Sequence, residues 1–153
     1  GYLLPYLDVT VSHPWFKTIQ RIGSTGIMKG TGRSSGWSNQ TWFRAFEPAL
    51  SSDLQGMQEL LPVHGYLYSD SVLSVKETVD LIRMAASSNS YEVNEKALSE
   101  AISLIFGGTG HDMYRPVLRG EAALLIDMAL DPFNRIPIDI KGSVMKPSRI
   151  RKR

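Results

Sequence analysis

Three short stretches of this chain open alike. Ala49-Leu50-Ser51-Ser52-Asp53, Leu73-Ser74-Val75-Lys76-Glu77 and Val117-Leu118-Arg119-Gly120-Glu121 each set an apolar residue four positions before an acid, just where a helical pattern begins. The acid is favourable there in itself, because the first amides of a helix lack partners and carry partial positive charge. A helix start that recurs constrains a fold strongly, since repeated units pack as copies of one another.

Around these starts the apolar spacing predicts five helices. The first runs from about His13 to Gly26, with Ser12 as cap and Pro14 in its first turn. Trp15, Ile19 and Ile22 share one face of it; Lys17, Gln20, Arg21 and Ser24 fall elsewhere. The second covers about Ser51 to Leu61 and carries Leu54 and Met57. Ser74 and Glu77 form an S-x-x-E capping box for the third, which buries Val75, Val79, Ile82 and Ala86. The fourth starts at Asn94, buries Leu98, Ala101, Ile102 and Ile105, and stops at Gly107. The fifth, Arg119 to Leu130, buries Leu124, Leu125 and Met128, with Asp127 on its solvent face. Strand signals are thin: Gly65–Tyr68 and Ile136–Ile140 alternate and suit a short edge pairing. The expected fold is mainly α, with about five helices, long ordered loops and at most a short edge β pairing. Residues 1–145 read as a single helical domain and 146–153 as a basic flexible tail.

The 153 residues have an ordinary globular composition, 42% hydrophobic and 21% charged. No apolar run approaches the roughly 20 residues of a membrane span. The absence of Cys excludes disulfides, thiolate metal sites and a Cys nucleophile. The tail holds five of the 17 basic residues, which leaves the body with 12 basic against 15 acidic side chains. A basic nucleic-acid-binding face is therefore not indicated for the body. The chain opens on Gly1-Tyr2 rather than Met, which reads as a processed protein or a segment cut from a longer one.

Two resemblances follow from longer motifs. Asp8-Val9, His13 with Trp15, Gly26-Ile27-Met28-Lys29-Gly30, Phe46-Glu47-Pro48 and the helix at Ser51–Leu61 stand in the order of a surface-layer homology repeat. Such repeats open that last helix with Thr-Arg-Ala-Glu. Here Ser51 replaces the Arg, and only the last copy keeps it, at Arg119. The resemblance covers one good copy with fragments of others, and implies a helical module that holds a cell-wall polymer. The wider series from His13 to Gly142, including "WSNQTWF", "RGEAALLIDMALDPF" and "IDIKG", resembles the C-terminal region of bacterial FAD-dependent oxidoreductases of the xanthan-lyase-like, Bacteroidetes type. That resemblance implies a non-catalytic accessory module of a flavoenzyme. Such a module packs on the flavin domain of the same chain or assists polysaccharide binding. The alternative it leaves is a stand-alone, surface-layer-like anchoring module. Either implies a secreted, periplasmic or cell-surface setting.

The chain itself is not expected to hold FAD. Gly30-Thr31-Gly32-Arg33-Ser34-Ser35-Gly36 misses the G-x-G-x-x-G spacing by one and follows a helix rather than a strand. No catalytic set is expected either: His13, His64 and His111 are scattered, with no His-x-x-x-His spacing for a metal. His13 reads as a helix-start residue packing near Trp15. The candidate binding surface is the stretch Gly26–Trp42. Arg33, Trp37, Asn39, Gln40 and Trp42 supply stacking rings with amide and guanidinium donors, which is sugar-site chemistry. Its glycines read as turn residues, with Trp42 as the buried anchor of a long loop and Trp37 more exposed.

Overall fold

A computed structural model describes residues 4, 6–35, 38–108 and 110–135. Helix α1 (Phe16–Thr25) leads into a hairpin of β1 (Thr31–Ser35) and β2 (Ser38–Trp42). A 3-10 turn (Ser51–Leu54) and the single turn α2 (Met57–Leu60) follow. Then come α3 (Val75–Ser88), α4 (Glu95–Phe106), α5 (Arg119–Leu130) and α6 (Pro132–Arg135). The mainly helical reading holds, with one two-stranded antiparallel pairing among the described residues.

The three related helix starts meet in a ring. Ala49 N–H donates to Val117 O, Val117 N–H to Leu73 O, and Leu73 N–H back to Ala49 O, at 2.8 to 2.9 Å. The first helical amides, of Ser51, Val75 and Arg119, donate to Ser71, Arg115 and Glu47. The next amides, of Ser52, Lys76 and Gly120, donate to Ser69, Met113 and Ala45. Every acceptor in these last two sets lies two or four residues before the matching ring residue, so three backbone segments are related by an approximate threefold. Each helix thus meets its own unpartnered amides with carbonyls of the next segment. The acids complete the cap: the Leu50, Ser74 and Leu118 amides donate to Asp53, Glu77 and Glu121.

Helix α5 runs through the centre and packs against α1, α3 and α4. Nearly all of its residues are buried, including Ala122, Leu125, Ile126, Ala129 and Leu130. Asp127 is buried too, which corrects the solvent-face expectation. Arg21 of α1 spans Asp127 and Asp131, at 2.9 and 2.5 Å, and draws the carboxylate inward. Burial nonetheless pushes the Asp127 carboxyl above its ordinary range, against the lowering effect of Arg21. A carboxyl raised in the folded state contributes most at low pH and loses that contribution as pH rises through the interval from roughly 4 upward.

Other expectations are corrected locally. Helix α1 begins at Phe16, because residues 10–15 form turns in which Ser12 Oγ meets Thr10 Oγ1 rather than a helix amide. Gln20 is buried, not solvent-facing: its amide accepts from Leu4 N–H and donates to Leu4 O. The second helix breaks into two single turns. Gly56 lies against the backbone of Gly26, where an added Cβ would sit 1.8 Å from the Gly26 oxygen. Gly65–Tyr68 forms no strand; Tyr66 and Tyr68 instead meet edge to face at 4.7 Å. Ile136–Ile140 and the tail lie outside the described residues.

One buried cation ties the ring to the rest. Arg119 Nε donates to Phe43 O and Nη2 to Lys29 O, both at 2.8 Å, while Nη1 pairs with Asp53 at 2.5 Å. Its guanidinium also lies over the Phe43 ring. Removing one member of a buried ion pair strands the other and typically costs about 3–5 kcal/mol. Arg119→Ala is expected to lose stability of that order in urea unfolding. A loss under about 1 kcal/mol would show that solvent replaces the guanidinium at little cost.

Candidate functional site

The stretch singled out as a binding surface is a hairpin, not a loop. Its register pairs Thr31 with Trp42, Arg33 with Gln40 and Ser34 with Asn39. Arg33, Asn39 and Gln40 are described in their backbone alone, and Trp37 lies outside the described residues. The N-terminal segment adds to the hairpin: Leu7 N–H donates to Thr41 O, and Tyr6 bridges Thr41 in parallel. Asp8 then accepts from the Phe43 and Arg44 amides at 2.8 and 2.7 Å. Gly26 ends α1 in the left-handed region as expected, but Gly30 serves close approach. A Cβ there would meet Thr41, Tyr6 and the Trp42 carbonyl, all within 2.8 Å.

Trp42 is not the buried anchor. It is half-buried, and the fully buried ring is Phe43, next to it. From Trp42 to Phe46 burial alternates: Phe43 and Ala45 turn inward, while Arg44 and Phe46 are exposed. Arg44 lies over the Trp42 ring at 5.7 Å, and is held by Thr31 Oγ1 and Glu47. Phe46, 69% exposed, completes a triangle of rings with His13 at 5.7 Å and Trp15 at 6.3 Å. His13 packs near Trp15 as expected but lies before the helix: its Nδ1 accepts from Trp15 N–H at 3.0 Å, and the rings lie 6.3 Å apart.

A second feature went unread in the sequence. An open cleft of about 760 Å³ lies between the C-terminal end of α1 and the turns of Ser51–Leu60, lined by Ser24, Lys29, Asp53, Gln55, Gln58 and Glu59 among others. Residues 30 positions apart build it, and the contact of Gly56 with Gly26 sets its floor. The lining offers amides, a hydroxyl and charges of both signs, which suits a hydroxyl-rich ligand. Asp53 is already committed to Arg119 and to the Leu50 amide. A glycosidase pair of free carboxylates is not assembled among these lining residues. Among the described residues no cluster of three His, Cys, Asp or Glu could hold a metal, and no helix is long and apolar enough to cross a membrane.

Of the expected site residues, Trp42 is placed beside Arg44, on a surface that continues to Phe46. The unforeseen members, Phe46 and Arg44, carried no signal: Trp42-Phe43-Arg44-Ala45-Phe46 does not alternate apolar with polar, and the alternation lies in burial alone. The cleft carried none, because its two walls are joined only through the fold. No family model, curated protein or solved structure matches the chain.

The two aromatic positions are separable by substitution. Phe43→Ala is expected to lose about 3–5 kcal/mol, the usual cost of deleting a buried large ring. Trp42→Ala should lose under half as much. Equal losses in chemical denaturation would restore Trp42 as an anchor.

Proposed function

We propose that this chain is a non-catalytic accessory module that assists polysaccharide binding, built on three repeats of surface-layer-like type. The observation that carries the reading is the closed ring of backbone bonds among three equivalent helix starts. The cleft beside Lys29, Gln55 and Gln58, between α1 and the turns of the first repeat, has the polar lining that a sugar chain needs. The resemblance to the C-terminal region of FAD-dependent oxidoreductases supports a role for the module beside a flavin domain. Sugar recognition by the module would then hold a polymer near that domain, in a secreted, periplasmic or cell-surface protein.

Affinity electrophoresis through gels containing xanthan or a bacterial cell-wall polysaccharide tests the reading. The protein is expected to be retarded in at least one gel, and the Lys29→Ala/Gln58→Ala variant to be retarded less. In the same preparation the protein should be colourless and take up no FAD. Unretarded migration in every gel, or stoichiometric FAD kept through gel filtration, would contradict the assignment.

A further inference from the structure

The His13, Trp15 and Phe46 triangle contains a polar atom with no use in the fold. Because His13 Nδ1 accepts from the Trp15 amide, the neutral ring carries its proton on Nε2. That Nε2 is buried and finds no hydrogen-bond partner. An unmet buried donor is costly, and in native structures it calls for a reason. The rings around it differ in how they are held. Trp15 is pressed against Gly120, where a Cβ would stand 2.7 Å from the indole. Phe46 is the exposed member, on a turn between Arg44 and Pro48, with solvent over most of its surface.

We propose that this triangle is a sugar subsite, in which Phe46 shifts to receive the flat face of an all-equatorial pyranose. One hydroxyl of that sugar accepts the His13 Nε2 proton. Three features fit a neutral pyranose. An exposed ring offers stacking to its C–H face. The imidazole that carries the unmet donor lies 5.7 Å from that ring, centroid to centroid. The neighbouring cation, Arg44, is already engaged by Glu47 and stacked on Trp42, so the surface does not select for an anion. Half-buried Trp42 and exposed Arg44 stand four and two residues before Phe46, with the guanidinium over the indole ring. The third repeat, with Tyr114 in place of Phe46, keeps an exposed ring at the equivalent position, but the second has Asp70 there. This subsite rests on the polysaccharide reading and adds a second contact to the cleft.

Cellotetraose, an all-equatorial β-linked probe, tests the subsite by calorimetric titration and by the His13 imidazole signals in NMR. Saturating cellotetraose is expected to move the His13 Nε2 resonance. Phe46→Ala should weaken binding at least tenfold, Phe46→Trp should restore it, and thermal unfolding should stay within a few degrees of the parent. Lys29→Ala/Gln58→Ala should change cellotetraose affinity less than twofold. The subsite is overturned if the parent protein does not bind cellotetraose, if Phe46→Ala binds as well as the parent, or if the His13 signal does not respond. In each of those cases retardation by polysaccharide in the gels can persist through the cleft. Loss of retardation in every gel instead strikes the functional reading itself.

Discussion

The free amides at the start of a helix need carbonyls, and in this chain they find them in one another's approach segments. Ser51, Val75 and Arg119 head three helical segments, and each donates to a carbonyl two residues before the next ring position. A lone helix would leave these donors to water. The ring makes each segment a cap for its neighbour, so no one of the three is complete without the other two. That mutual capping fixes where α3 and α5 begin and why the 3-10 turn at Ser51 survives despite its short length.

The three copies then diverge at the first helical position. Arg119 reaches out from the third start to Asp53 of the first and holds the carbonyls of Lys29 and Phe43. Ser51, in the same place, meets the hydroxyl of Tyr66 and the amide of Ser69. Val75 is simply buried. The guanidinium therefore spends its donors on the fold, and it locates Lys29 at the edge of the cleft. Asp53 is the matching half of that arrangement: one carboxylate oxygen caps its own turn while the other meets Arg119. The polar side chains left to a ligand are those of Lys29, Gln55, Gln58 and Glu59, which supports a binding surface more than a reacting one.

Much of the helical framework was legible in the sequence. Ser74 with Glu77, Asn94 and Gly107 are local signals: α3 starts just after Ser74, and α4 starts just after Asn94 and stops at Gly107. The repeated starts were legible too, but not their meeting, which depends on backbone carbonyls that any residue supplies. The hairpin was missed because Thr31–Ser35 is made of small, weakly strand-forming residues; the added contacts of Tyr6 and Leu7 help to order it. Trp42 was taken for the anchor because it stands beside Phe43 and near the following helix, whereas it is Phe43 that turns inward. Asp127 was misread because its partner, Arg21, lies 106 residues away in the chain. The cleft was illegible for the same reason, since its lining comes from α1 and from turns that meet only through Gly26 and Gly56.

Native-state hydrogen exchange, followed amide by amide, bears most directly on the ring. If mutual capping holds the fold together, the amides of Ala49, Leu73 and Val117, with those of Ser51, Val75 and Arg119, exchange only through global unfolding. Their opening free energies then agree with one another and with the stability measured by denaturant. Exchange of any one set by local opening, while the α5 amides stay protected, would contradict the account. It would show that the segments fold onto α5 independently and merely touch at the axis.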